Sequence, residues 1–231
     1  AAVDVLSRAT LAQTAMAAAR MQFTHQMEVA LTAVAEGDAR ALDAAADAVR
    51  ERNAELARRL ATISPADRRV KVGGMAAARA RLHNLLTQGT HLQQKAAEWR
   101  DARLADARDY RWSVGFFRFY WDGEADELRI HVGGGQVNYG FSYLGVASCL
   151  VLTSITERTY LCMSRSVALA AGTMAVGPDG TGKTETIRDW AQACGHSSIV
   201  IQCGDIMDGN TIQDVVAGAA SSGSLVIFDD V

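Results

Sequence analysis

The sequence predicts an α/β fold in which a mainly α-helical arm precedes an incomplete parallel sheet bearing a phosphate-cradling loop, and three observations carry that prediction. Residues Gly177-Pro178-Asp179-Gly180-Thr181-Gly182-Lys183-Thr184 complete the pattern G-x-x-x-x-G-K-[ST], whose glycines let successive backbone N–H groups curl around phosphates. The apolar run Leu225-Val226-Ile227-Phe228 ends in Asp229-Asp230, and strand-like and helix-like segments alternate between the loop and that run. Residues 4–107, by contrast, are rich in Ala, Arg, Leu and Gln and contain one proline. A random chain of this length would show the eight-residue pattern roughly once in a hundred trials, so the loop weighs strongly toward a P-loop NTPase.

In the helical part, Gly37 stops a first helix and Asp38 is placed to cap a second that runs to about Leu60. Ser64-Pro65-Ala66-Asp67 offers a capping hydroxyl, a proline at the first helical position and a carboxylate at the third, after Gly73-Gly74 breaks the run comes a third long helix over about residues 76–107. Leu56, Leu60 and Ile63 give way to Arg68-Arg69-Val70-Lys71, and the glycines break the heptad phase, so a packed bundle or arm is favoured over a coiled coil.

At Tyr110 the composition turns aromatic and β-branched. The tract Arg111-Trp112-Ser113-Val114-Gly115-Phe116-Phe117-Arg118-Phe119-Tyr120-Trp121 predicts a strand or a helix end, Asp122-Gly123-Glu124 a turn, and Glu127-Leu128-Arg129-Ile130-His131-Val132 a strand. Beyond Arg118 the aromatic cluster lacks basic interleaving, which favours a core wedged between two subdomains over a base-stacking platform.

Residues 173–176 predict a short buried strand entering the loop, and residues 183–194 the helix leaving it. Ser198-Ile199-Val200-Ile201-Gln202 predicts a second strand, residues 210–220 a helix with apolar Ile212, Val215, Val216 and Ala219, and the run at 225–228 a third strand. That alternation makes a parallel sheet with its ligand at the strands' carboxyl ends. Lys183 then supplies positive charge at the outer phosphates, the Thr184 hydroxyl can ligate Mg²⁺, and Asp229 sits where a second Mg²⁺ contact is needed.

At 231 residues, 49% hydrophobic and mean hydropathy +0.01, the chain can hold one large domain or two small ones. Residues 1–110 carry a net +3 and residues 111–231 a net −6, summing to −3, which argues against nonspecific nucleic-acid binding. Cys149, Cys162, Cys194 and Cys203 lack C-x-x-C spacing and read as reduced core residues. The five histidines show no ligand spacing, so no metal is expected beyond the nucleotide's Mg²⁺. The sequence shows no eighteen-residue apolar stretch and no charged-then-apolar leader, so neither a membrane nor a targeting segment is expected.

A family resemblance rests on particular residues. Trp112 with Phe116-Phe117-Arg118-Phe119-Tyr120-Trp121, then Tyr139-Gly140-Phe141-Ser142-Tyr143-Leu144-Gly145, then Leu150-Val151-Leu152-Thr153-Ser154-Ile155-Thr156-Glu157-Arg158-Thr159-Tyr160, residues 177–186 and Phe228-Asp229-Asp230 follow one another in the order seen in dynein heavy chains. The match over about residues 110–231 resembles the end of the linker arm running into the first AAA+ module. It implies a linker segment over 1–138, ending in a short aromatic β-rich piece, and the N-terminal part of the AAA+ module over 139–231. Residues 1–109 match in helical character and position only.

The resemblance implies a microtubule motor in which binding and hydrolysis of ATP, with Mg²⁺, drive the linker's swing. Carried over by position, Gly177, Pro178, Asp179, Gly180, Thr181, Gly182, Lys183 and Thr184 hold the phosphates, and Val151 and Leu152 lie near the adenine, which an apolar surface suits. Thr184 and Asp229 hold Mg²⁺, the latter through water, while Lys183 and Asp230 take the catalytic places. The implied partners are microtubules, reached through parts of the heavy chain absent here, and dynein intermediate and light chains, with no nucleic acid and no membrane. The implied location is the cytoplasm and cytoskeleton, with a lean toward the axoneme of a cilium or flagellum.

Three positions depart from the family pattern. Asp230 stands where the family has a glutamate that orients the attacking water; it is one methylene shorter, about 1.3 Å of reach, and a misplacement near 1 Å can cost on the order of 10²-fold in rate. Asp179 replaces a small apolar residue, and Ser154 replaces a proline. Two readings therefore stand, a mechanochemical ATPase and a module that holds ATP with little or no turnover; an unrelated AAA+ ATPase with a helical adaptor is a weaker third. An AAA+ sheet resembles the order 5-1-4-3-2, of which strands one to three are supplied here, so strand one is expected without a neighbour and the chain reads as a fragment of a longer one.

Overall fold

The computed structural model describes residues 12–62, 74–145, 148–204 and 207–230. Three long helices come first: α1 (Ala12–Ala35), α2 (Ala41–Thr62) and α3 (Gly74–Asp101). Gly37 turns the chain at φ 111° after α1, as the sequence expects, whereas the Asp38 carboxylate accepts the Arg40 N–H at 3.0 Å and so closes the turn ahead of α2 without capping the helix itself, which begins at Ala41. The 64–67 cap and Gly73 lie outside the described residues.

The helix α3 stops at Asp101 and not near residue 107. Arg103 adopts φ 49°, the Leu104 N–H donates to the Trp99 carbonyl at 3.0 Å, and the Arg103 N–H donates to the Arg100 carbonyl at 2.9 Å. This paired closure satisfies carbonyls of the last turn and returns Leu104 to the core that holds Trp99, a gain that a continued helix would forgo. Between α2 and α3 the buried Asn53 donates to the Gly89 carbonyl at 2.6 Å and to Gln93 at 3.0 Å, and a Cβ on Gly89 would collide with the Asn53 amide.

The aromatic tract holds both structures that the sequence left open. A short helix α4 (Tyr110–Ser113), capped by the Asp109 carboxylate, carries Trp112 into the helical core, and the strand β1 (Arg118–Asp122) follows. Trp99 stands edge-on to Trp112 and Phe116 at 5.2 and 5.0 Å, with Phe23 beside it. Phe116 belongs to this core, whereas the next residue, Phe117, enters a second one built with Tyr160, Met163 and Trp190. Two phenylalanines in a row, set at the bend ahead of β1, thus join two cores.

Strand β1 pairs antiparallel with β2 (Glu127–Val132), and β2 with β3 (Gly135–Asn138). The β2–β3 turn is Gly133-Gly134, both at positive φ, as a two-residue hairpin loop requires. Leu128, Ile130 and Val132 face the second core. The buried Thr24 hydroxyl fastens this sheet to α1, accepting the Phe119 N–H at 3.0 Å while donating to the Arg20 carbonyl.

The second half contributes α5 (Ser154–Ala168), α6 (Lys183–Ala193), β4 (Ser198–Gln202), α7 (Gly209–Ser222) and β5 (Leu225–Asp229). The strands β4 and β5 run parallel in register from Ser198 against Leu225 to Gln202 against Asp229, so the predicted strand–helix–strand crossover is present as a two-stranded sheet. Residues 173–176, expected as a buried strand, are not one: no strand among the described residues pairs with them, and Met174 and Val176 are 80% and 82% exposed. Apolar sequence cannot hold strand form without a ladder partner. The cysteine expectation also needs correction, because all four are free but Cys194 alone is buried and Cys162 is exposed. Burial pushes the Cys194 thiol up to about 12.

Candidate functional site

The glycine-rich loop is shaped by backbone that other residues resist. Gly180 and Gly182 sit at φ 72° and 81°, where a side chain would be strained although space for a Cβ exists. The Thr181 hydroxyl donates to the Pro178 carbonyl at 2.9 Å and closes the turn. Gly182 caps α6 without any side-chain hydrogen bond, which leaves first-turn N–H groups of that helix facing the loop at the positive end of its dipole. A helix N-terminus of this kind receives phosphate.

Lys183, the first residue of α6, folds back over the loop and donates to the carbonyls of Gly177 and Pro178, each at 3.0 Å. Asp179 points to solvent, with a carboxylate oxygen 3.9 Å from the ammonium. Thr184, one residue on, donates its hydroxyl to a carboxylate oxygen of Asp229 at 2.8 Å. Asp229 ends β5, so two residues forty-five positions apart meet where the strand's carboxyl end faces the start of α6. Asp230, next in line, is exposed and left-handed at φ 58°.

The donor set suits magnesium. The cation takes one or two protein oxygens and fills its remaining positions with water and phosphate, and a hydroxyl beside a carboxylate at a phosphate-receiving helix end offers that arrangement. No group of three or more His, Cys, Asp or Glu that could hold a metal occurs among the described residues. Of the two expected base contacts, Val151 is 73% exposed while Leu152 packs on the second core, so they face opposite ways.

The docking of α6 depends on tight backbone approach. The Gly140 N–H donates to the Cys194 carbonyl at 3.0 Å and the Ser142 N–H to the Gly195 carbonyl at 2.9 Å; a Cβ on Gly195 would stand 2.5 Å from the Tyr139 ring. Buried Trp190 donates to the Ser164 hydroxyl at 2.8 Å, tying α6 to α5.

Two residues that the sequence did not single out join these elements. Asp189 of α6 is buried, accepts the Leu150 N–H at 3.0 Å on one oxygen, and receives the Tyr160 hydroxyl on the other. Burial and the Asp189 charge push the Tyr160 phenol far above its ordinary range, and burial with the same charge lifts Cys149 to about 11. Glu157, in the first turn of α5, meets Lys95 of α3 at 2.7 Å and His91 at 3.3 Å. Burial drives His91 down to about 3, with the positive charges of Arg20 and Lys95 adding to the effect. Burial acts to lower Lys95, but its hydrogen bonds to Glu157 and Glu98 outweigh that and hold it above its usual value.

The parallel β4–β5 pair with its flanking helices and the glycine-rich loop make the chain's second half an α/β segment. Residues 139–231 match the family described as the hydrolytic ATP binding site of dynein motor region, which supports an AAA+ fold for this half. Over 152 residues the chain is 34% identical to dynein axonemal heavy chain 10 of Homo sapiens, and over 155 residues 36% identical to the dynein alpha chain of the flagellar outer arm of Chlamydomonas reinhardtii. Dynein axonemal heavy chain 2 of Mus musculus is 32% identical over 152 residues. Each of these alignments covers 66% of this chain and 3% of the relative's length. The sequence is thus related to the motor region of dynein heavy chains. Among the described residues no helix is long and apolar enough to cross a membrane.

Proposed function

We propose that residues 139–231 are the N-terminal part of the first AAA+ module of a dynein heavy chain, binding and hydrolysing Mg-ATP to power microtubule-based movement, with residues 1–138 as the end of the linker arm. The contact between Thr184 and Asp229 carries this reading: a hydroxyl that follows the phosphate lysine meets the carboxylate at a strand end, as a nucleotide-bound Mg²⁺ requires. In this reading 177–184 wrap the phosphates and Lys183 exchanges its loop carbonyls for phosphate oxygens. Leu152, with the backbone of 150–152, lies along the base. When bound, Mg²⁺ would neutralise charge on the outer phosphates. Microtubules would be engaged through other parts of the heavy chain, intermediate and light chains would be its companions, and the axonemal and flagellar names of the relatives support a place in a cilium or flagellum.

Asp230 gives a second reading its footing. The carboxylate that would orient the attacking water is short and set on left-handed backbone, which favours ATP held with slow turnover. Steady-state ATPase of the complete heavy chain tests both. Turnover lost in Lys183→Ala supports the motor reading, and a strong rise in Asp230→Glu over a slow native enzyme supports the second. Absence of any Lys183-dependent ATP binding removes both.

A further inference from the structure

We infer that Asp189 is a positioning residue that sets the base-binding tract 150–152 against the phosphate loop, an inference resting on the nucleotide site proposed above. Asp189 lies on α6, the helix whose first residue is Lys183, so its place relative to the loop is fixed by rigid backbone. Its side chain is buried, and among the described residues the two groups that it binds are neutral donors. A buried carboxylate is costly to keep and is retained where its hydrogen bonds hold something in place. One oxygen holds the main chain of Leu150, directly before Val151 and Leu152; the other holds Tyr160, midway along α5.

The tract between those two anchors contains the capping box of α5, in which the Thr153 hydroxyl accepts the Thr156 N–H and the Thr156 hydroxyl accepts the Thr153 N–H at 2.7 Å. One carboxylate therefore grips an exposed segment on both sides and ties it to the helix that starts at the phosphates. Trp190 and Ala191 bury α6 against the sheet independently of that carboxylate. Loss of Asp189 should thus free the base end of the site and leave its phosphate end in register.

The test uses the complete heavy chain and compares Mg-ATP with Mg-tripolyphosphate, which has the phosphates and no base, counting the binding that Lys183→Ala abolishes. Asp189→Ala should weaken that Mg-ATP binding about tenfold, the worth of one hydrogen bond to a charged group, while tripolyphosphate shifts less than about twofold. Tyr160→Phe should weaken ATP about threefold and again spare tripolyphosphate. Asp189→Asn keeps an acceptor for Leu150 and should fall between them, so these two conservative variants decide the matter should Asp189→Ala fail to fold. Equal weakening of both ligands, or of neither, overturns the inference while the nucleotide site stands. No Lys183-dependent binding in the native chain overturns both.

Discussion

The helical half and the nucleotide-binding half solve the problem of burial differently. Helices α1, α2 and α3 close around Phe23, Trp99, Trp112 and Phe116 and leave few large apolar side chains exposed, Val29 and Tyr110 among them. After residue 139 the described chain exposes Phe141, Tyr143, Val151, Ile155, Leu169, Met174 and Val176, and its parallel sheet has two strands. What anchors the second half is Tyr160, Met163 and Trp190 on the aromatic hairpin. The difference separates a closed helical framework from a loop-rich segment packed on it, and exposed loops of this kind are drawn from the less stable end of a structure.

Breaking the framework should have the largest effect. Trp99→Ala removes the ring that contacts Phe23, Trp112 and Phe116 and should cost about 3–5 kcal/mol in urea unfolding. Amide exchange should rise first in α1, α2 and α3, the helices that close on that ring. Severing the bridge between the halves comes next. Lys95→Ala leaves the Glu157 carboxylate, with 19% side-chain exposure, without its ammonium and should cost about 2 kcal/mol by the same measurement.

Acid sharpens that comparison at the same junction. His91 has its folded pKa depressed to about 3, so its contribution to stability is complete above the ordinary histidine value of about 6.5 and declines as pH falls below it. Unfolding free energy should drop by up to about 1.4 kcal/mol per pH unit between pH 6.5 and 5, and His91→Gln should flatten that slope. Burial holds Glu157 above its ordinary value, against the opposing pull of Lys95; its contribution is lost as pH rises through that raised pKa and so has the opposite sign, which is why the His91→Gln comparison isolates the histidine part. The smallest effect is expected at the loop. Asp179→Ala removes a solvent-facing carboxylate near Lys183 and should tighten Mg-ATP binding no more than about threefold, because exposed pairs of this kind are weak.

What the sequence made legible was local. The loop, the helix starting at Lys183, the strands at 198–202 and 225–229 and the turn at Gly37-Asp38 follow from short-range residue chemistry, and the meeting of Thr184 with Asp229 follows from strand topology. Asp189 was not legible: in Thr186-Ile187-Arg188-Asp189-Trp190 it reads as one more polar helix residue, and its partners lie 39 and 29 positions away. The strand expected at 173–176 failed for the complementary reason, since apolar residues set a preference and a ladder partner decides. Helix α5 carried a signal in its Thr153 and Thr156 capping pair, which the apolar run ahead of it obscured.

The most direct measurement is ATP affinity with Mg²⁺ and with EDTA, taken for the native heavy chain, Thr184→Val, Asp229→Ala and the double variant. Expected is a Mg²⁺-dependent gain in the native chain that each single variant largely removes and the double variant lowers no further, because both side chains serve one ion. A Mg²⁺ gain that survives in the double variant would contradict a magnesium site at the Thr184–Asp229 contact.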